Sequence, residues 1–239
     1  MSVMVRKRFW KEVAISEGQG GYLVLLDGKP IKTPAKSPLL VPSQRLAEAI
    51  AQEWDALEQE IKPDLMPLTR CANSSIDKVA IEFEAVVEIL AEYAGSDLLC
   101  YRANGPDALV ARQSEMWDPW LEWAAITHDA PLMAVSGVMH HAQPVQSLSN
   151  LRNAIAAHDP FELVALHDMI ALTGSCVLGL AVSAGALSAD QAWALSRLDE
   201  DWQAEFWGHD DEADAMAARK QNDLRNADQF LRLLRADTR

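Results

Sequence analysis

Cysteine is scarce in this chain. Its 239 residues hold three, Cys71, Cys100 and Cys176. No two form a Cys-x-x-Cys pair, and three are too few for a disulfide scaffold, so buried thiols in a reducing compartment are expected. Catalytic signatures are missing as well. There is no Gly-x-Ser-x-Gly elbow and no His-Glu-x-x-His, and the glycines at 18–21 are followed by neither a helix pattern nor a Lys-Ser/Thr pair. The glycine cluster therefore reads as a hairpin turn and not as a phosphate loop. Residues 1–13 are basic and mixed, without the apolar core of a secretory signal. Positive charge is in short supply overall: 21 Lys and Arg against 35 Asp and Glu, a net charge of −14. That field repels a nucleic-acid backbone or an anionic membrane, so neither is expected as the main partner.

One stretch lacks charge altogether. The 21 residues from Met169 to Ala189 carry none, close to the length that spans a bilayer. They are rich in Gly, Ser and Thr, and His167 and Asp168 precede them within the same helical pattern. The expectation is a helix over 160–184, buried on all sides, with small residues where neighbours approach closely, and no stable membrane insertion.

Residues 1–42 read as β. Phe9, Val13 and Ile15 precede the glycine turn, Tyr22 to Leu26 form a short apolar run, and Asp27-Gly28 is a hairpin signal. Pro30, Pro34, Pro38 and Pro42 confine the next segment to short edge strands and turns. This is also the basic end, with Arg6, Lys7, Arg8, Lys11, Lys29, Lys32 and Lys36 against Glu12, Glu17 and Asp27. From Ser43, a plausible N-cap, the period turns helical: Leu46, Ile50, Trp54 and Leu57 form one stripe. Pro63 to Pro67 is the best linker. Beyond it, helices are expected at 68–80, 82–94, 107–127, 149–157, 160–184, 189–206 and 210–235, with extended pieces at 97–102 and 132–138. The fold class is α+β: a small β-rich domain with one helix over 1–64, then a larger, mostly α-helical domain over 65–239.

Four of the six histidines are followed by Asp: His128, His158, His167 and His209. Adjacent helical residues point about 100° apart, so these pairs are not expected to act as a base with its orienting acid. Asp129, Asp159 and Asp210 stand where helix ends are expected, and His140-His141 has no third ligand at helical spacing. No catalytic, cofactor or metal site is expected. Two features stand out. Trp117, Trp120 and Trp123 share a broad helix face, suited to core packing or to binding a protein. From Asp199 to Asp214 run eight acids with no Lys or Arg, interleaved with Trp202, Phe206 and Trp207. That mixture fits a solvated face or a docking surface with aromatic anchors and a charged rim. Because so many acids repel one another, the stretch is assigned to partner contact through Glu200, Trp202, Glu205 and Trp207.

A longer pattern carries a resemblance. Arg8-Phe9-Trp10-Lys11, the run Gly21-Tyr22 through Leu26-Asp27-Gly28-Lys29-Pro30-Ile31-Lys32-Thr33-Pro34, Ala51-Gln52-Glu53-Trp54-Asp55, Ile61-Lys62-Pro63, Met66-Pro67-Leu68-Thr69, Cys71-Ala72-Asn73-Ser74-Ser75-Ile76-Asp77 and Asp97-Leu98-Leu99-Cys100-Tyr101-Arg102 succeed one another along the chain. Together they resemble the ATP synthase assembly chaperones that hold the alpha subunit of the catalytic head, and Leu198 to Gly208 resembles that family's acidic-aromatic motif. The resemblance implies a non-enzymatic chaperone of the free alpha subunit, with no cofactor and no nucleic-acid partner. It also implies a small β-containing domain and a larger helical one. Eukaryotic members act in the mitochondrial matrix, and bacterial ones would act in the cytoplasm. With no extension resembling a transit peptide, this chain is expected to be of the bacterial, cytoplasmic kind. Two other readings stand beside it: a carboxylate-dependent hydrolase of unknown substrate, and a subunit of a permanent complex.

Overall fold

A computed structural model describes residues 7–237. Strand β1 (Val13–Gly18) pairs antiparallel with β2 (Gly21–Leu26), from Val13 opposite Leu26 to Gly18 opposite Gly21. Gly21 admits no side chain, because a Cβ there would overlap the carbonyl oxygen of Val41. Asp27 and Gly28 both take positive φ, 48° and 76°, the turn whose twist suits a two-residue hairpin. They lead into β3 (Lys29–Pro30), which pairs with β2, and β4 (Leu40–Val41) pairs with the start of β2. The four strands form one antiparallel sheet, as the alternating apolar pattern and the turn residues require.

Helix α1 (Gln44–Asp55) packs Leu46, Ala47 and Ile50 toward this sheet. Ser43 caps it, its Oγ accepting from the Leu46 amide at 3.3 Å. After a helical turn at Pro63–Leu65 comes α2 (Pro67–Ser74), which runs on through one widened turn at Ser75–Val79. Glu53 of α1 caps α2: its carboxylate accepts from the Leu68 and Thr69 amides at 2.7 and 2.8 Å and from the Thr69 hydroxyl at 2.7 Å. Burial nevertheless holds the Glu53 pKa above the usual carboxylate range.

The remaining helices are α3 (Phe83–Gly95), α4 (Asp107–His128), α5 (Val145–Ala156), α6 (Pro160–Thr173), α7 (Cys176–Ser183), α8 (Ala189–Ser196), α9 (Leu198–Trp207) and α10 (Asp211–Arg235). Between them, β5 (Tyr101–Arg102) pairs in parallel with β6 (Val135–Ser136), within the two stretches expected to be extended. The fold is α+β, strands first and helices after. Two packing units are present. Unit 1 holds the sheet, α1 and α2 as far as Phe83, together with residues 160–165 and 229–237; unit 2 holds residues 84–159 and 166–228.

Two expected helices are each broken in two. The run 160–184 stops at Thr173 because Gly174 takes φ 67°, a left-handed helix end. Ser175 then caps α7, its Oγ accepting from the Leu178 amide at 3.0 Å. The expected burial does hold for α7, whose residues are all buried. The run 189–206 breaks at Arg197, whose φ of −106° and ψ of 11° separate α8 from α9. Among the described residues no helix is long and apolar enough to cross a membrane.

Candidate functional site

The acidic-aromatic stretch becomes α9, the Gly208 turn and the first half of α10. Leu198 and Trp202, four residues apart, put one face of α9 into the core of unit 2. The Trp202 ring lies under the Arg112 guanidinium at 4.5 Å and beside Phe206 at 5.0 Å. Arg112, on α4, also donates through both terminal nitrogens to the Glu205 carboxylate, at 2.7 and 3.1 Å. This two-pronged bond lowers the Glu205 pKa and raises that of Arg112.

The repulsion inferred from the sequence is therefore partly relieved inside the molecule. Glu205 has Arg112, Asp201 has Arg197 at 3.6 Å, and Asp214 has His209 at 3.1 Å. Asp199 accepts from the Gln113 amide at 2.7 Å. Asp210 caps α10, accepting from the Glu212 and Ala213 amides at 2.9 and 3.1 Å. Glu200, Asp211 and Glu212 are exposed and form no ion pair among the described residues. Phe206 and Trp207 stay exposed, Trp207 at 79%.

Of the four residues singled out for partner contact, the structure presents Glu200 and Trp207 to solvent and packs Trp202 inward. Glu205 is held by Arg112. Glu200 and Trp207 line an open groove of about 390 Å³ between the end of α9 and the first half of α10, together with Arg197, His209, Asp214 and Lys220. Arg112 and Gln113 were missed by the sequence reading. The signal for Gln113 lay in its spacing: Leu109, Gln113, Trp117 and Leu121 recur every four residues, so Gln113 falls on the buried stripe. Arg112 gave no local signal, because its partner is 93 residues away.

The other candidates are structural. Trp117 is fully buried and donates from Nε1 to the Leu195 carbonyl at 2.9 Å, whereas Trp120 and Trp123 are half-buried and tilted against each other. His167 and Asp168, not expected to face each other, do meet, with Nδ1 to Oδ1 at 3.0 Å, and the contact raises the His167 pKa. Asp97 is fully buried and accepts from the Leu99 and Val177 amides and from the Ser175 hydroxyl, at 3.0, 3.0 and 2.8 Å. Burial pushes the Asp97 pKa up to about 6 and the Cys100 thiol up to about 12. All three cysteines are thiols, and no cluster of three His, Cys, Asp or Glu side chains able to hold a metal exists among the described residues.

This surface offers exposed rings and carboxylates that form no ion pair among the described residues. Residues 7–125 match the family model described as ATP12 chaperone protein. The crystal structure of Atp12 from Paracoccus denitrificans is 50% identical, with a TM-score of 0.93 over 96% of this chain and 98% of that one. Atu1473 from Agrobacterium tumefaciens is 45% identical, with a TM-score of 0.92 over 96% of this chain and 87% of that one. Protein atp12, mitochondrial, from Schizosaccharomyces pombe is 26% identical over 214 residues, spanning 84% of this chain and 74% of that protein. The chain belongs to the ATP12 chaperone family.

Proposed function

We propose that this protein is an assembly chaperone that binds the free alpha subunit of the F-type ATP synthase catalytic head and keeps it from aggregating until the beta subunit arrives. An unassembled subunit exposes apolar surface meant for its neighbour, and such surface self-associates. A chaperone that covers it must bind firmly enough to compete with aggregation and weakly enough to be displaced by the true partner. The observation that carries the reading is the groove between α9 and α10, in a member of this family, with unpaired Glu200 beside exposed Trp207. In this reading Glu200 and Trp207 touch the client. Trp202 and Glu205 act through Arg112, holding α9 in the orientation that presents them. Release needs no nucleotide, since displacement by beta suffices by mass action. The site of action is the bacterial cytoplasm.

The test is light scattering of purified alpha subunit with and without this protein, followed by addition of beta. Suppression of scattering, with transfer of alpha to beta, is the expected result. Undiminished aggregation, or a complex that beta cannot displace, would overturn the reading.

A further inference from the structure

The string from Gly28 to Pro38 serves neither the groove nor any catalytic arrangement, yet it is held firmly. Ile31, Thr33 and Leu39 point into unit 1, while Lys29, Lys32 and Lys36 point out. Asp77 pins the loop: its carboxylate accepts from the Thr33 hydroxyl at 2.7 Å and from the Ala35 amide at 2.9 Å. Thr33 and Ser37 close it, with the Thr33 amide donating to the Ser37 carbonyl at 2.9 Å and the Ser37 amide donating to the Thr33 hydroxyl at 3.2 Å. At the tip, Lys36 sits at φ 72°, a left-handed conformation disfavoured for any residue with a Cβ and natural to glycine or asparagine. An exposed lysine held in an unfavourable backbone conformation points to a use for its charge.

The surrounding charges sharpen this. Lys11, Lys29, Lys32, Lys36 and Lys78 are exposed and form no ion pair among the described residues. Four acids lie on the same segments, and one of them, Glu17, is exposed. Asp27 turns its carboxylate to the Lys11 and Glu12 amides at 3.0 and 2.9 Å, and those bonds hold its pKa low. Asp77 is occupied by the loop itself, and Glu12 is exposed. The result is a pre-shaped basic surface on a chain whose net charge is −14.

We propose that this loop is a docking surface for a short acidic segment of a protein partner. A nucleic acid or an anionic bilayer is an extended polyanion and meets the repulsive field of the whole chain. A short segment feels chiefly the charges within a Debye length of about 8–10 Å, and the charged residues of the loop itself, Lys29, Lys32 and Lys36, are all basic and exposed. The surface shares no residue with the groove between α9 and α10, and it does not depend on the identity of the groove's client.

The experiment uses the full chain and a fluorescein-labelled oligo-glutamate peptide, followed by anisotropy at low and high salt. Saturable binding that weakens with salt is expected. The variant Lys29→Ser/Lys32→Ser/Lys36→Gly should bind about tenfold or more weakly, and Glu200→Lys should retain the peptide. Lys36→Gly alone removes one charge and relieves the backbone, so it should fold at least as well and still lose affinity. No binding, or equal binding by the triple variant and by Lys36→Gly, would sink the proposal. So would oligothymidylate or phosphatidylserine vesicles that bind the parent more tightly than the peptide does and are lost in the triple variant. Because the peptide assay contains no alpha subunit, its failure and the failure of the chaperone reading are read separately.

Discussion

Trp54 closes the stripe begun by Leu46 and Ile50, and its ring meets Trp10 edge-on at 5.2 Å. The periodicity places it on the packing side of α1. It cannot supply Trp10, which is 44 residues earlier in a segment with no period of its own. Trp54→Arg removes that contact and sets a charge against a buried ring. It should cost about 2–4 kcal/mol, seen as a lowered melting temperature and a reduced soluble yield. Asp97 makes a second prediction. Its folded pKa is about 6 against an ordinary 3.8, so the folded state favours the protonated acid. That stabilisation is complete below pH 3.8 and is lost as the pH rises through about 6, a difference of about 3 kcal/mol. In Asp97→Asn the group no longer titrates. Urea unfolding at pH 4 and pH 7 should show the parent losing stability from this source, while the variant, weaker overall for want of one acceptor, loses less. An equal pH dependence in the two proteins would rule the assignment out.

Among the elements, the helices with a plain apolar stripe were legible, and the two that broke were those whose pattern hides a break. From Met169 to Ala189 nearly every residue is apolar or small, so no face distinguishes one helix from two. The punctuation is the pair Gly174-Ser175, a left-handed helix end followed at once by a cap. The kink lets α7 fold back on α6, and Gly179 is where they touch: a Cβ there would overlap Ile170. Gly179→Ala should therefore cost about 1–3 kcal/mol, although alanine favours helix, and should lower the urea midpoint with an unchanged slope. A stabilised variant would mean that the two helices are not in contact there. The break at Arg197 was hidden in another way, since the capping box at Ser188 and the apolar spacing on either side fit a single helix equally well.

At the scale of the molecule, the acidic stretch was legible as a surface but not in its internal division of labour. Which acids are free depends on Arg112, Gln113, Arg197 and His209, and the first two lie on a helix far away in sequence. That division separates two classes of variant. Glu200→Lys and Trp207→Ala should leave the circular dichroism and melting temperature unchanged and weaken capture of the alpha subunit, for Glu200 chiefly through a slower, salt-sensitive association. Glu205→Lys and Trp202→Ala should instead lower stability, the first by setting a lysine against Arg112 and the second by emptying a core position, about 3 kcal/mol or more. Equal binding by Glu200→Lys and the parent would reduce α9 to a solvated helix. The packing units were the least legible feature: the linker at 63–67 divides composition, whereas unit 1 draws on residues 160–165 and 229–237. Within it, Asp237 accepts from the Ser43 hydroxyl at 2.9 Å and from the Gln44 amide at 2.6 Å, while Ser43 donates as well to the Leu233 carbonyl at 2.7 Å. These partners stand 194 residues apart for Ser43 and Asp237. On the ribosome, then, the sheet and α1 emerge with the Ser43 cap in hand but long before Leu233 and Asp237. Until residue 237 has been made, the Gln44 amide lacks the carboxylate that accepts from it in the folded chain, so the first helix of the protein is completed by the last residue described.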